Sequence, residues 1–127
     1  AGFPNLVTNA VAIAAGGSVA LKCDRLEFSA KNEAFEFLGA RREFPFTIYQ
    51  LALIFQRPVV LCVGLPDGPG RSVVHSSPIF RPEPGGKTAN LTRARAHFQA
   101  FLTRIEGFLR RDPTLWFNFT PLNPPAP

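Results

Sequence analysis

Two short stretches and two separate histidines hold the side chains that could do chemistry. Cys23-Asp24-Arg25 closes an apolar run, Arg41-Arg42-Glu43 lies between Phe37-Leu38-Gly39 and Phe44-Pro45-Phe46, and His75 and His97 are the two imidazoles. A thiol beside a guanidinium is easier to ionise and is a candidate nucleophile. Cysteine or serine catalysis also needs a histidine next to the nucleophile, and neither histidine is near Cys23 in sequence, so a small core residue is the simpler role. Asp24-Arg25 stands at the end of an expected strand, where open α/β proteins hold their ligands; a local ion pair ending the strand is the alternative. Arg41 and Arg42 offer planar donor forks suited to carboxylate or phosphate, or they make a solvated turn. The spacings GxGxxG, GxxxxGK[ST] and HExxH are absent, as are clusters with metal-ligand spacing, so no bound cofactor and no metal are expected.

The rest of the composition bounds the partner. With 127 residues, 46% of them hydrophobic and 18% charged, the chain suits one domain with one core. The net charge of +5 is carried by eleven Arg and three Lys, a balance that favours an anionic partner such as a phospholipid surface or a phosphorylated molecule. Nucleic acid is not expected, because interleaved exposed aromatics and a known recognition motif are missing. Thirteen Phe and no Met are present, so Ala1 is not a translation start. Cys23 and Cys62 both sit in apolar runs and are expected as buried free thiols of a reducing compartment. No apolar run is long enough for a membrane span.

The elements that must position these residues follow from periodicity. Helix is expected at 5–15, stopped by Gly16-Gly17, and a buried strand at 18–24. Residues 34–44 read as a hairpin arm, followed by a helix over 46–56 opened by Pro45. The run 58–65 reads as a central strand, apolar throughout. A turn at 66–70, an edge strand at 71–80 and a loop at 81–87 lead to a helix over 89–111, whose apolar positions hold a 3.6 period. An aromatic plug at 115–119 and a Pro-rich tail at 120–127 complete the chain. Alternating helices and strands give an α/β class with a mixed sheet and packed helices, residues 18–24, 46–56 and 58–65 making a strand–helix–strand crossover.

Taken in order, GGSVALKCDR (16–25), FLGARREFPF (37–46), YQLALIFQRPVVLCVGL (49–65) and DPTLWFNF (112–119) resemble the bacterial lipid A late-acyltransferase family, in particular a divergent branch of it. The similarity covers nearly all of 5–119, and residues 1–119 are accordingly expected to be the C-terminal part of one acyltransferase domain. The resemblance implies a fold like that of glycerolipid acyltransferases, at the cytoplasmic face of the bacterial inner membrane. It implies transfer of an acyl chain from an acyl-carrier-protein or coenzyme A thioester to a hydroxyl of a lipid or glycolipid. Asp24 and Arg25 match the family's strand-end pair, and Gly39, Phe44 and Pro45 its Gly…Phe-Pro block. Arg41 and Arg42 are then expected to face an anionic headgroup or the carrier's phosphate arm, with apolar flanks near the acyl chain. Cys23 stands where the family usually has Gly. The family's base is a His in HxxxxD or HxxxxE, but five residues after His75 is Phe80 and five after His97 is Leu102. The catalytic residue is therefore expected upstream of this chain, in a longer enzyme.

Two further readings stand beside this one. The helix at 89–111 carries a basic stripe, with Arg93, His97, Arg104 and Arg111, beside its apolar face, which also suits a non-catalytic module on an anionic membrane surface; packing on the sheet is the simpler fate for that face. An incomplete sheet is expected to expose an apolar edge and promote self-association. Asn90-Leu91-Thr92 and Asn118-Phe119-Thr120 match the glycosylation tripeptide, which has meaning only in a secreted chain.

Overall fold

The computed structural model describes residues 11–19 and 32–112. A helical turn at 11–14 is followed by β1 (Asn32–Phe37), β2 (Ala40–Pro45), α1 (Thr47–Phe55), β3 (Cys62–Pro66), β4 (Ser72–Ser76) and α2 (Lys87–Arg111). Helices and strands are mixed, as expected, but the sheet is different. β1 pairs antiparallel with β2, and β3 antiparallel with β4, in two separate two-stranded sheets. The expected crossover needs a parallel neighbour for β3, and among the described residues β3 has only β4. Residues 20–24 of the first expected strand, with Cys23, lie outside the described residues, as do the plug at 115–119 and the tail.

The first hairpin follows from alternation. Phe35 and Phe37 on β1 and Phe44 on β2 turn inward, while Glu36 and Arg41 pair across the outer face. Leu38 and Gly39 make the connection with φ of 52° and 76°, the two positive values that a type I′ hairpin turn requires. Gly39 adopts this freely; Leu38 does so against the Cβ clash that disfavours the left-handed region.

Pro45 ends β2, opposite Asn32, rather than opening the helix. α1 begins two residues later behind Phe46, which makes no side-chain cap. Phe46 instead fills the core, stacking on Tyr49 at 4.9 Å, and both are fully buried. Burial of a large ring replaces the cap as the reason the helix starts there.

The expected central strand is the clearest departure. β3 starts at Cys62, and only Val63 and Leu65 are half-buried, with Cys62 and Gly64 exposed. A two-stranded ribbon has one face against the protein and one in water, so an apolar run does not make this strand central. Cys62 is consequently a free, exposed thiol, not a buried one. Before β3, Val59 and Phe80 exchange both backbone hydrogen bonds, while the next bonded rung joins Leu61 to Ser77. Two steps on one side face three on the other, which is a bulge at Pro78 and Ile79.

α2 runs the expected course and buries Ala94, Phe98, Phe101, Leu102 and Leu109. Phe98 is the hub, with ring centroids 4.8 Å from Phe35, 5.8 Å from Phe44 and 5.6 Å from Tyr49. Beside the apolar stripe runs a polar one that binds the outer edge of β1. Arg95 donates to Ala34 O and pairs with Glu33; Gln99 accepts from Glu36 N–H and donates to Glu36 O at 3.0 and 2.8 Å; and Glu106 accepts from Leu38 N–H. Strand residues 34 and 36, and Leu38 at the turn, expose backbone groups on one edge by their period of two. Helix residues 95, 99 and 106 share a face by their spacing of four and seven. The helix side chains thus occupy the place of a third strand.

Candidate functional site

Of the residues expected to hold substrate, Asp24 and Arg25 lie outside the described residues. The others all lie on the β1–β2 hairpin, which divides them between its faces. Gly39 is in the exposed turn, and Phe44 and Pro45 are buried, with Phe44 packed edge-on to Phe37 at 5.4 Å in the core. Arg41 is directly across from Glu36 on the outer face, whereas Arg42 is across from Phe35 on the inner face and donates from Nε to Phe37 O at 2.8 Å. Neighbouring residues of a strand point to opposite sides, so the hairpin does not bring the two guanidiniums to one point on the same face.

The histidines are wired into structure. The bulge aims the Pro78 carbonyl at α2, where it receives His97 Nε2 at 2.7 Å and the Ser77 hydroxyl at 2.8 Å. A carbonyl only accepts, so Nε2 carries a hydrogen. In the neutral ring Nδ1 is then an acceptor, taking the hydrogen of the buried Tyr49 hydroxyl at 2.6 Å. With both nitrogens engaged, His97 joins α1, α2 and the bulge, and neither nitrogen is placed to deprotonate a ligand. His75 stacks against Phe108 at 4.6 Å. Among the described residues neither imidazole has a carboxylate within ion-pairing distance.

A cleft of about 350 Å³ lies elsewhere, between residues 13–19 on one side and α1 with residues 57–60 on the other. That volume falls in the range of small-molecule sites. Ile13, Ile48, Leu51, Ala52, Val59 and Val60 supply its apolar lining, and among the described residues Arg57 is its one charged member. None of the hairpin residues named above lines it.

Both walls are ended in the same way. Gly16 has φ of 92° and Gly17 N–H reaches back to Ala12 O at 2.8 Å; Gln56 has φ of 54° and Arg57 N–H reaches back to Ala52 O at 3.0 Å. These are six-to-one closures of helix ends through a left-handed residue. The second closure turns Arg57 out of α1 and across the cleft, where Nη2 approaches Ile13 O at 3.4 Å. Sequence reasoning passed over Arg57. Its only signal was a lone cation between the apolar helix face 48–55 and the Pro-Val run that follows.

The glycosylation match at Asn90 is also settled by geometry. Asn90 is buried, and its amide accepts from Glu83 N–H and donates to Glu83 O, pinning the loop before α2 to the helix. The folded chain presents no free amide there. Asn118 lies outside the described residues.

Among the described residues no helix is long and apolar enough to cross a membrane, and no three of His, Cys, Asp and Glu converge as a metal site would need. No family model, curated protein or solved structure matches the chain.

Proposed function

We propose that this chain is the substrate-holding part of an acyltransferase, in which a fatty acyl chain passes from a thioester donor to a hydroxyl of a lipid or glycolipid. The observation that carries the reading is the apolar cleft of about 350 Å³ with the Arg57 guanidinium on its wall. Acyl transfer needs three things: a site that takes up an alkyl chain, a grip on the anionic part of donor or acceptor, and a base for the attacking hydroxyl. The cleft suits the first. Arg25 with Asp24, and Arg42 or Arg41 on the hairpin, are proposed for the second. The sequence resemblance set out above supports the same division, because neither His75 nor His97 has an acidic residue five positions on. On this reading the base, the glycerolipid-acyltransferase-like remainder of the sheet and the contact with the inner membrane belong to polypeptide beyond these residues.

The test uses the whole product of the gene that encodes these residues, assayed with an acyl-carrier-protein or coenzyme A thioester and a lipid acceptor. Acyl transfer is expected, along with an HxxxxD or HxxxxE motif whose His→Ala variant abolishes it. Arg25→Ala is expected to lower kcat/KM at least about tenfold, the loss of a charge-assisted contact. A gene product without such a motif, or without transfer to any hydroxyl acceptor, would overturn the reading.

A further inference from the structure

We infer that the cleft beside Arg57 binds the unesterified form of a long-chain acid, with the alkyl tail along its apolar walls and the carboxylate on the guanidinium. The inference rests on the reading that the cleft receives an alkyl chain, and it adds the charge of the group at the chain's end.

The argument is one of charge and its surroundings. Among the described residues Arg57 is the only charged one on the cleft, and none of their carboxylates lies within ion-pairing distance of it. Its contact with Ile13 O, at 3.4 Å, is longer than an ordinary N–H···O bond. That contact uses one of the five donors of a guanidinium. A cation held loosely over apolar side chains has more to gain from a carboxylate, which it can bind with two parallel hydrogen bonds, than from the neutral carbonyl of a thioester or ester. The apolar walls reward a tail in proportion to its length, about fourfold per methylene. The ligand that satisfies both is a monoanionic amphiphile. Its consequence for transfer is competition: free acid occupies the place of the donor's acyl chain.

The opposing account is that Arg57 merely caps the carbonyl end of the 11–14 turn, as cations near helix C-termini do. The two accounts differ in what a ligand's head group does to binding.

The experiment is calorimetric titration of the full chain with dodecanoate, decanoate and dodecanol, each below its micellar or solubility limit and with the carboxylates ionised. Dodecanoate is expected to bind about tenfold more tightly than dodecanol, the worth of one charge-assisted pair, and about fifteenfold more tightly than decanoate, which is two methylenes shorter. Arg57→Ala is expected to remove the preference for acid over alcohol, read as the ratio of the two affinities, and Arg57→Lys to keep part of it. Val60→Trp, at a lining residue 47% exposed, fills the cleft without disturbing the core and is expected to weaken both ligands. Equal binding of dodecanoate and dodecanol by the wild-type chain, or a preference that survives Arg57→Ala, would overturn the inference and leave the alkyl-binding cleft in place. If neither ligand bound, both the inference and the cleft's part in the proposed function would fall.

Discussion

The Pro78 carbonyl sets the tautomer of the neutral His97 ring, and that tautomer sets the direction of the hydrogen bond with Tyr49. The carbonyl requires Nε2–H, which leaves Nδ1 to accept from the Tyr49 hydroxyl inside the core. Tyr49→Phe removes the donor and strands a ring nitrogen, so a loss of about 1–2 kcal/mol is expected in urea unfolding. A neutral result would show that solvent reaches Nδ1. Phe98 stands in a different class. Its ring touches both strands of the first hairpin and α1, and Phe98→Ala is expected to cost about 3–5 kcal/mol by the same measurement. Arg41 and Arg42 show how far residue-scale reading of a sequence reaches. Adjacent arginines looked like one binding element, yet strand geometry sends Arg41 outward beside Glu36 and Arg42 inward beside Phe35. That split becomes legible once the strand boundaries are known, because it follows from the period of two. The position of Arg57 was not legible, since it depends on how two helix ends, far apart in sequence, approach each other.

At the scale of elements, α2 does the work of a strand. Gln99 takes both backbone groups of Glu36, and Glu106 holds the Leu38 amide at the hairpin turn. Gln99→Ala should therefore raise the hydrogen-exchange rate of the Glu36 amide selectively, while amides that face β2, such as Phe35, stay protected; uniform acceleration of both would mean that the hairpin is not held by this edge. The turn itself is open to improvement. Leu38 sits at φ 52° in a position that Asn fills at lower cost. Its side chain is 37% exposed, so replacement gives up some burial, which offsets part of the gain. Leu38→Asn is expected to stabilise the chain by about 0.5–1 kcal/mol in urea unfolding, by relief of the left-handed Cβ clash. The hairpin, both long elements and the turn at 66–70 were readable from alternation, a 3.6 period and Gly-Pro chemistry, because each signal is local. β3 was misread for a physical reason. An apolar run reports that a strand has apolar side chains, not how many neighbours it has, and here only Val63 and Leu65 find cover. The edge ladder on α2 was present in the sequence as a polar stripe at 95, 99 and 106, but polar residues beside an apolar face normally mean water, and only the packing of β1 gives them partners.

For the molecule as a whole, α2 is the member that both hairpins share, and it holds them unequally. The β1–β2 hairpin meets it through a core of packed rings and the ladder from Arg95 to Glu106. The β3–β4 hairpin is attached through the ring contact of His75 with Phe108 and the hydrogen bond from Arg104 to Ser76 O at 2.8 Å. Val74 on its outer face is exposed. Resistance to local opening scales with buried apolar contact and sheltered hydrogen bonds, so the two hairpins should not open together. In native-state hydrogen exchange, the amides of Val63, Leu65 and Val73 are expected to exchange through a local opening well below the free energy of global unfolding, while Phe35, Phe37 and Phe44 follow the global value. Arg104→Ala should lower protection in β4 further and leave β1 unchanged. Phe98→Ala should lower the global value and bring the β1–β2 amides down with it, narrowing the gap between the hairpins. Equal protection of both in the unaltered chain would mean that the second hairpin has cover beyond the contacts with α2, and the strand expected at 18–24 is the first segment to test for it.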